Sequence, residues 1–195
     1  MPRREDLDGD NIFVLHDFLT PDECQYYINA SEAAGYGDAP ITTSRGAIIA
    51  KDVRNNDRVM VDDTKLAAEL FERLLPFLPA NIDGSIPCGL NERFRYYRYT
   101  PGQKFDWHLD GRFYRDNGEM SHLTFMIYLN DGCTGGETLF NLSRSGGIRM
   151  DDPVLRVTPT MGKALVFRHR ILHTGAMVLA GTKYVLRTDV MYRAS

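Results

Sequence analysis

From Glu92 onward, the apolar positions of this 195-residue chain fall in short runs rich in β-branched and aromatic residues. The runs lie at roughly 93–99, 105–109, 123–129, 137–140, 154–158, 163–167, 173–178 and 183–191, separated by Gly, Pro, Asn and Asp. Eight strands with turn signals at short intervals predict a jelly roll or barrel. Before Glu92 the pattern differs. Residues 12–18 read as one short strand. Thr20-Pro21-Asp22-Glu23 then supplies a cap, a first-turn proline and a capping-box glutamate. It predicts a helix to about Ala34, stopped by Gly35. Leu66, Leu70, Phe71, Leu74 and Leu75 recur at helical spacing between Asp62 or Asp63 and Pro76. They predict a second helix with that stripe facing the core. Helices first and strands after give an α+β chain, mainly β. Asn130-Asp131-Gly132 and Gly146-Gly147 are turn chemistry, and Gly135-Gly136 marks a bulge or a close backbone approach. Residues 1–10 read as a flexible charged tail, and 11–195 as a single domain.

Composition narrows the function classes. The formal net charge of −3 argues against general binding of nucleic acid or anionic membranes. No apolar run approaches the roughly 18 residues of a membrane span. The segment MPRREDLDGD lacks the apolar centre of a secretory signal. Cys24, Cys88 and Cys133 are odd in number and far apart, which predicts free thiols and a reducing, cytoplasmic setting.

The candidate chemistry lies in YRYTPGQKFDWHLDG, Tyr97 to Gly111. On a strand, His108 and Asp110 share a face and converge, whereas Phe105 and Trp107 point to the other face and into the core. Two converging ligands call for a third. Among the other histidines, His16 lies outside the strand-rich half, His122 opens a strand, and His169 sits between two arginines. On local grounds His173 is the best candidate. Two imidazoles and one carboxylate leave coordination positions open and suit non-haem Fe(II), whereas zinc more often takes three histidines or mixed His and Cys.

Read as a whole, the segment resembles the Fe(II)- and 2-oxoglutarate-dependent dioxygenases, specifically their prolyl 4-hydroxylase-like branch. The resemblance rests on Tyr99-Thr-Pro-Gly-Gln-Lys-Phe105-Asp-Trp-His108-Leu-Asp110, Thr124-Phe-Met-Ile-Tyr128-Leu-Asn130 and Gly135-Gly-Glu-Thr138 with Phe140. Pro159-x-x-Gly162-Lys-Ala-Leu-Val-Phe167, His173-Thr-Gly, and Lys183 ten residues past that histidine complete it. These blocks run in order over about residues 91–191, the expected catalytic core. The resemblance implies a double-stranded β-helix with Fe(II) held by His108, Asp110 and His173. It also implies O2 as oxidant, ascorbate as reductant, and Lys183 receiving the distal carboxylate of the cosubstrate 2-oxoglutarate. Tyr128 is expected to bond the same carboxylate and Tyr99 to line the cosubstrate pocket. The retained Asp110 favours hydroxylation over halogenation, in which a small residue replaces the carboxylate.

Period two places Lys183, Arg187 and Asp189 on one face of the last strand, so Arg187 either pairs with Asp189 or binds cosubstrate or prime substrate. The polar run 51–58 is either a solvated loop or a cover whose arginines and asparagines, Arg54, Asn55, Asn56 and Arg58, hold a polar or peptide substrate. Arg112, two residues past Asp110, is expected near the substrate. The reading is an oxygenase acting on a peptidyl, prolyl-like or small-molecule substrate with release of succinate and CO2. The alternatives are a cupin-fold metal enzyme that does not use 2-oxoglutarate, a silent ligand-sensing module and a zinc hydrolase.

Overall fold

The computed structural model describes residues 1–43, 46–143 and 152–195. Two antiparallel sheets form a double-stranded β-helix. The major sheet runs in the order Arg3–Asp8, Ile12–His16, Ala164–Arg168, Met120–Tyr128, Lys183–Ala194, Arg93–Tyr99, Asp57–Asp62 and Gly37–Asp38, and Ser85–Leu90 also pairs with Lys183–Ala194. The minor sheet runs Val154–Val157, Thr138–Asn141, His173–Gly175 and Phe105–His108. Both helices lie in the N-terminal half, and among the described residues no helix is long and apolar enough to cross a membrane.

The central strands are covered on both faces, which is why their apolar residues run consecutively instead of alternating. Along Ile12–His16, Phe13 and Leu15 join a core shared with the helices, through Cys24, Ala67, Leu70 and Leu74. Ile12 and Val14 join the second core with Tyr128, Phe140 and Phe167. Phe125 and Ile127 against Met126 and Tyr128 repeat the division on Met120–Tyr128. The candidate site occupies the polar end of the second core.

The first helix spans Pro21–Ala34 with its capping box formed. Thr20 Oγ1 accepts from the Glu23 N–H at 3.2 Å, and Glu23 Oε2 accepts from the Thr20 N–H at 2.8 Å. Thr20→Ala removes one half of the box and is expected to cost about 1 kcal/mol, read as a lowered midpoint in urea with an unchanged slope. The second helix, Thr64–Leu74, is capped by Asp63. Of its predicted stripe, Leu75 does not face the core. It is 43% exposed, because the chain tightens there into a 3-10 turn, Leu75–Phe77.

Other expectations also change. Residues 1–10 are not a flexible tail: Arg3–Asp8 pairs with Ile12–His16, and Arg4 stacks on Phe13 and pairs with Asp6 and Asp10. Its charge pattern hid a sheet-edge strand, where exposed charged side chains are ordinary. The polar run 51–58 is not a solvated loop, since Arg54 and Asn56 are buried. Trp107 is only half-buried and belongs to neither core, and Phe105 does not point away from His108. The cause is a bulge: two steps from His173 to Gly175 match three from His108 to Phe105, so Phe105 returns to the His108 face and stacks on its ring at 3.5 Å. Gly135 and Gly136 do serve a close approach. A Cβ on Gly135 would collide with the Met177 carbonyl oxygen, and Gly135 and Gly136 both have positive φ. Asn130 ties its loop to Thr182 and Tyr184. Gly146 and Gly147 lie outside the described residues.

Candidate active site

His108 and His173 sit opposite each other on paired strands of the minor sheet. Asp110 lies just past the end of its strand, and its N–H donates to the His169 carbonyl at 3.0 Å. The three side chains converge as the sequence predicts, but this loop contact replaces strand parity as what places Asp110. His108 Nε2 is 3.9 Å from Asp110 Oδ1 and His173 Nε2 is 3.6 Å from Asp110 Oδ2. One ligand atom from each of the three lies within 4.8 Å of the others.

The donor chemistry fits a dication. His108 Nδ1 donates to the Asp106 carbonyl at 2.7 Å and His173 Nδ1 to the Ile171 carbonyl at 2.8 Å. A carbonyl only accepts, so each proton sits on Nδ1 and each Nε2 lone pair is free for a cation. Burial, with His173 nearby, pushes His108 down to about 3, and burial also lowers His173. Burial alone would raise the Asp110 carboxyl, but the Arg187 guanidinium and then the two imidazoles hold it well below the usual carboxylate range. Neutral imidazoles and an ionised carboxylate are the states that metal binding requires.

Asp110 is oriented from behind. Thr124 Oγ1 donates to Asp110 Oδ2 at 2.5 Å, and Arg187 Nη2 lies 3.0 Å from the same oxygen. His169 Nδ1 donates to Thr124 Oγ1 at 3.0 Å, and its Nε2 accepts from Ser121 Oγ at 2.8 Å. Arg187 also pairs with Asp189 at 3.2 Å, so one half-buried guanidinium answers two carboxylates, the half-buried Asp110 and the buried Asp189. The supporting role of His169 had no local signal, because its two partners lie over 40 residues away in sequence.

Two chambers meet at His108 and Asp110. The inner one, about 50 Å³, is lined by Tyr99, Met126, Thr138, Phe167, Lys183 and Val185. Lys183 is 2% exposed, and its Nζ donates to the Gly136 carbonyl at 2.6 Å. Burial lowers the ammonium to about 8, against a weak opposing pull from Cys133 and Glu137. The Nζ lies over the Tyr99 and Tyr128 rings at 4.9 and 5.5 Å. The Tyr128 hydroxyl stands 2.7 Å from Thr138 Oγ1, in hydrogen-bond contact with a residue that lines the chamber. The outer chamber is larger, about 530 Å³, and holds Arg58 and Arg112 as expected, together with Arg54, Arg95 and Leu109. Asn56 does not line it. It accepts from Arg54 Nε at 2.8 Å and so holds the residue that does. Tyr97, Phe105, His108, Asp110 and Arg187 border both chambers. Burial raises the Tyr97 hydroxyl, but Arg54, Arg187 and Arg95 outweigh it and bring it down to about 8.

Residues 94–188 match the model of the 2OG-Fe(II) oxygenase superfamily. Over that span, just under half of its length, the chain is similar to that superfamily, which uses Fe(II), 2-oxoglutarate and O2. The relatives it resembles are prolyl 4-hydroxylases. It is 26% identical to prolyl 4-hydroxylase 1 of Arabidopsis thaliana over 89% of its own length and 66% of that protein's. The chain thus spans just under two thirds of the length of the curated relatives it matches first. A prolyl-4-hydroxylase from Pseudomonas putida shares the fold at a TM-score of 0.67 and 18% identity, covering 95% of each chain. A prolyl hydroxylase from Trichoplax adhaerens, solved with a hypoxia-inducible-factor peptide, does so at 0.68 and 16%, covering 94% of this chain and 84% of that one.

Proposed function

We propose that this protein is an Fe(II)- and 2-oxoglutarate-dependent hydroxylase that acts on a prolyl residue of a peptide, with release of succinate and CO2. The observation that carries the reading is the pair of chambers joined at His108 and Asp110, the inner one also lined by His173 and ending on a buried lysine. A buried ammonium whose hydrogen-bond partner among the described residues is one carbonyl is a binding group for an anion. A dicarboxylate reaching from Lys183 to the trio would fill the inner chamber. That leaves the larger outer chamber for the prime substrate, and the peptide-bound relative supports a peptide there.

His108, Asp110 and His173 would hold the metal, with Thr124 and Arg187 fixing the carboxylate. Bound iron supplies the oxygen chemistry that couples oxidation of 2-oxoglutarate to hydroxylation of a C–H bond. Lys183 orients the cosubstrate, and Phe105, stacked on His108, walls the trio from water. Lys183 also disfavours a cupin-type enzyme that dispenses with 2-oxoglutarate, since such chemistry gives this buried cation no partner.

The test is turnover of 2-oxoglutarate with Fe(II) and ascorbate, followed by a screen of proline-containing peptides, cell extract and metabolites for products one oxygen atom heavier. Succinate formation with an oxidised prolyl product, both absent with His173→Ala protein, is expected. No succinate from metal-loaded wild-type protein would refute the reading and favour a silent sensing module. An oxygenated free metabolite without any peptide product would move the substrate class.

A further inference from the structure

The outer chamber carries more positive charge than the metal trio needs. Five arginines line it, at 54, 58, 95, 112 and 187, against two aspartates, Asp110 and Asp189. The chain as a whole is acidic, at −3, so this excess is local. Arg95 and Arg187 are answered by the two aspartates. Among the described residues, Arg54 and Arg58 have no carboxylate partner.

Arg54 is built in. It is 6% exposed, and its guanidinium lies against the rings of Tyr97 at 4.6 Å and Phe105 at 4.3 Å. Asn56 takes its Nε–H and is itself fixed by donating to the Asp57 carbonyl at 2.8 Å. The Nη2 is buried and finds no hydrogen-bond partner among the described residues. Leaving a buried charged donor without a partner is costly, so an orphan held this rigidly is pre-organised for a ligand. Arg58, half-buried, stands on the same chamber wall with no hydrogen bond or ion pair of its own among the described residues. The depressed Tyr97 hydroxyl reports the same positive field.

We infer that the prime substrate presents a carboxylate to Arg54 and Arg58 while its reacting C–H bond lies over the trio. Guanidinium edges pair with carboxylates through two parallel hydrogen bonds, which gives direction as well as attraction. The inference rests on the hydroxylase reading and narrows its substrate to an acidic one. The carboxylate could belong to an Asp or Glu side chain beside the target residue, or to a free C-terminus.

Three labelled peptide libraries with a central proline separate these sources. One has Asp and Glu at flanking positions and an amidated end, one has Asn and Gln with an amidated end, and one has Asn and Gln with a free end. Binding is read by fluorescence anisotropy on protein loaded with Mn(II) and 2-oxoglutarate, which does not depend on turnover. At least one carboxylate-bearing library is expected to bind about tenfold or more tighter than the neutral amidated one, and the preference should shrink as salt rises. Arg58→Gln is expected to lose most of that preference and Arg58→Lys to keep part of it, with thermal unfolding confirming that both are folded. Arg54→Gln should act in the same direction. Equal binding of all three libraries, binding of none, or an undiminished preference in Arg58→Gln and Arg54→Gln would overturn the inference. Succinate release by the wild-type protein separates the two failures. If it is present without a carboxylate preference, the substrate inference alone falls. If it is absent, the hydroxylase reading falls whichever library binds.

Discussion

His108→Ala, Asp110→Ala and His173→Ala are each expected to reduce 2-oxoglutarate turnover by more than about a thousandfold, with Fe(II) or Mn(II) binding weakened in parallel when titrated anaerobically. The reason is geometric. Each residue supplies one of the convergent donor atoms, and within the trio no other donor can replace it. The two histidine variants should unfold near the wild-type midpoint. Their rings lie at the surface of the inner chamber, and the loss is confined to local packing with Phe105 and Phe167. Asp110→Ala differs, because it also takes a carboxylate from Arg187. The guanidinium keeps Asp189 at 3.2 Å, so the fold is expected to survive with its charge partly answered. Turnover at the wild-type rate in any of the three would remove the trio from the mechanism.

The trio was readable because a single short segment holds two ligands and the remaining histidines are few. The route to it was misread. Strand parity brought His108 and Asp110 together on paper, yet Asp110 stands beyond the strand and is held by the His169 carbonyl. The same parity sent Phe105 to the wrong face, because a bulge adds a residue to one strand and leaves no mark in the sequence. The helix caps were legible for the opposite reason: Thr20, Glu23 and Asp63 act over three residues, within reach of a local pattern. Arg54 shows where local reading stops. Within 51–58 all the polar residues look alike, and it is the distant rings of Tyr97 and Phe105 that cover Arg54. Hence Asn56, a substrate contact by sequence, proves to be the support of Arg54.

Lys183→Met is expected to raise the dissociation constant for 2-oxoglutarate roughly hundredfold, near 3 kcal/mol, while metal binding by the trio changes little. Methionine keeps most of the volume and removes the charge, which matters because a Cβ on Gly136 would already stand 3.2 Å from Lys183 Cδ. An analogue that lacks the distal carboxylate should bind both proteins equally, since it never reached the ammonium. The discrimination between the two ligands, large in the wild type, should collapse in the variant. The pH dependence follows from burial. Lys183 sits at about 8 in the free chamber, so the ammonium is present below that pH and is lost as pH rises through it. A dicarboxylate binds the charged form, and therefore affinity should fall up to about tenfold per unit above pH 8, until the bound complex itself loses the proton. Below pH 8 it should be flat, and in Lys183→Met the break at pH 8 should be absent. Cys133 and Glu137 are the charged or titratable groups that act on the ammonium. Glu137 is engaged by Arg156 at 2.9 Å, and a break that persists in Lys183→Met would remove Lys183 from cosubstrate binding.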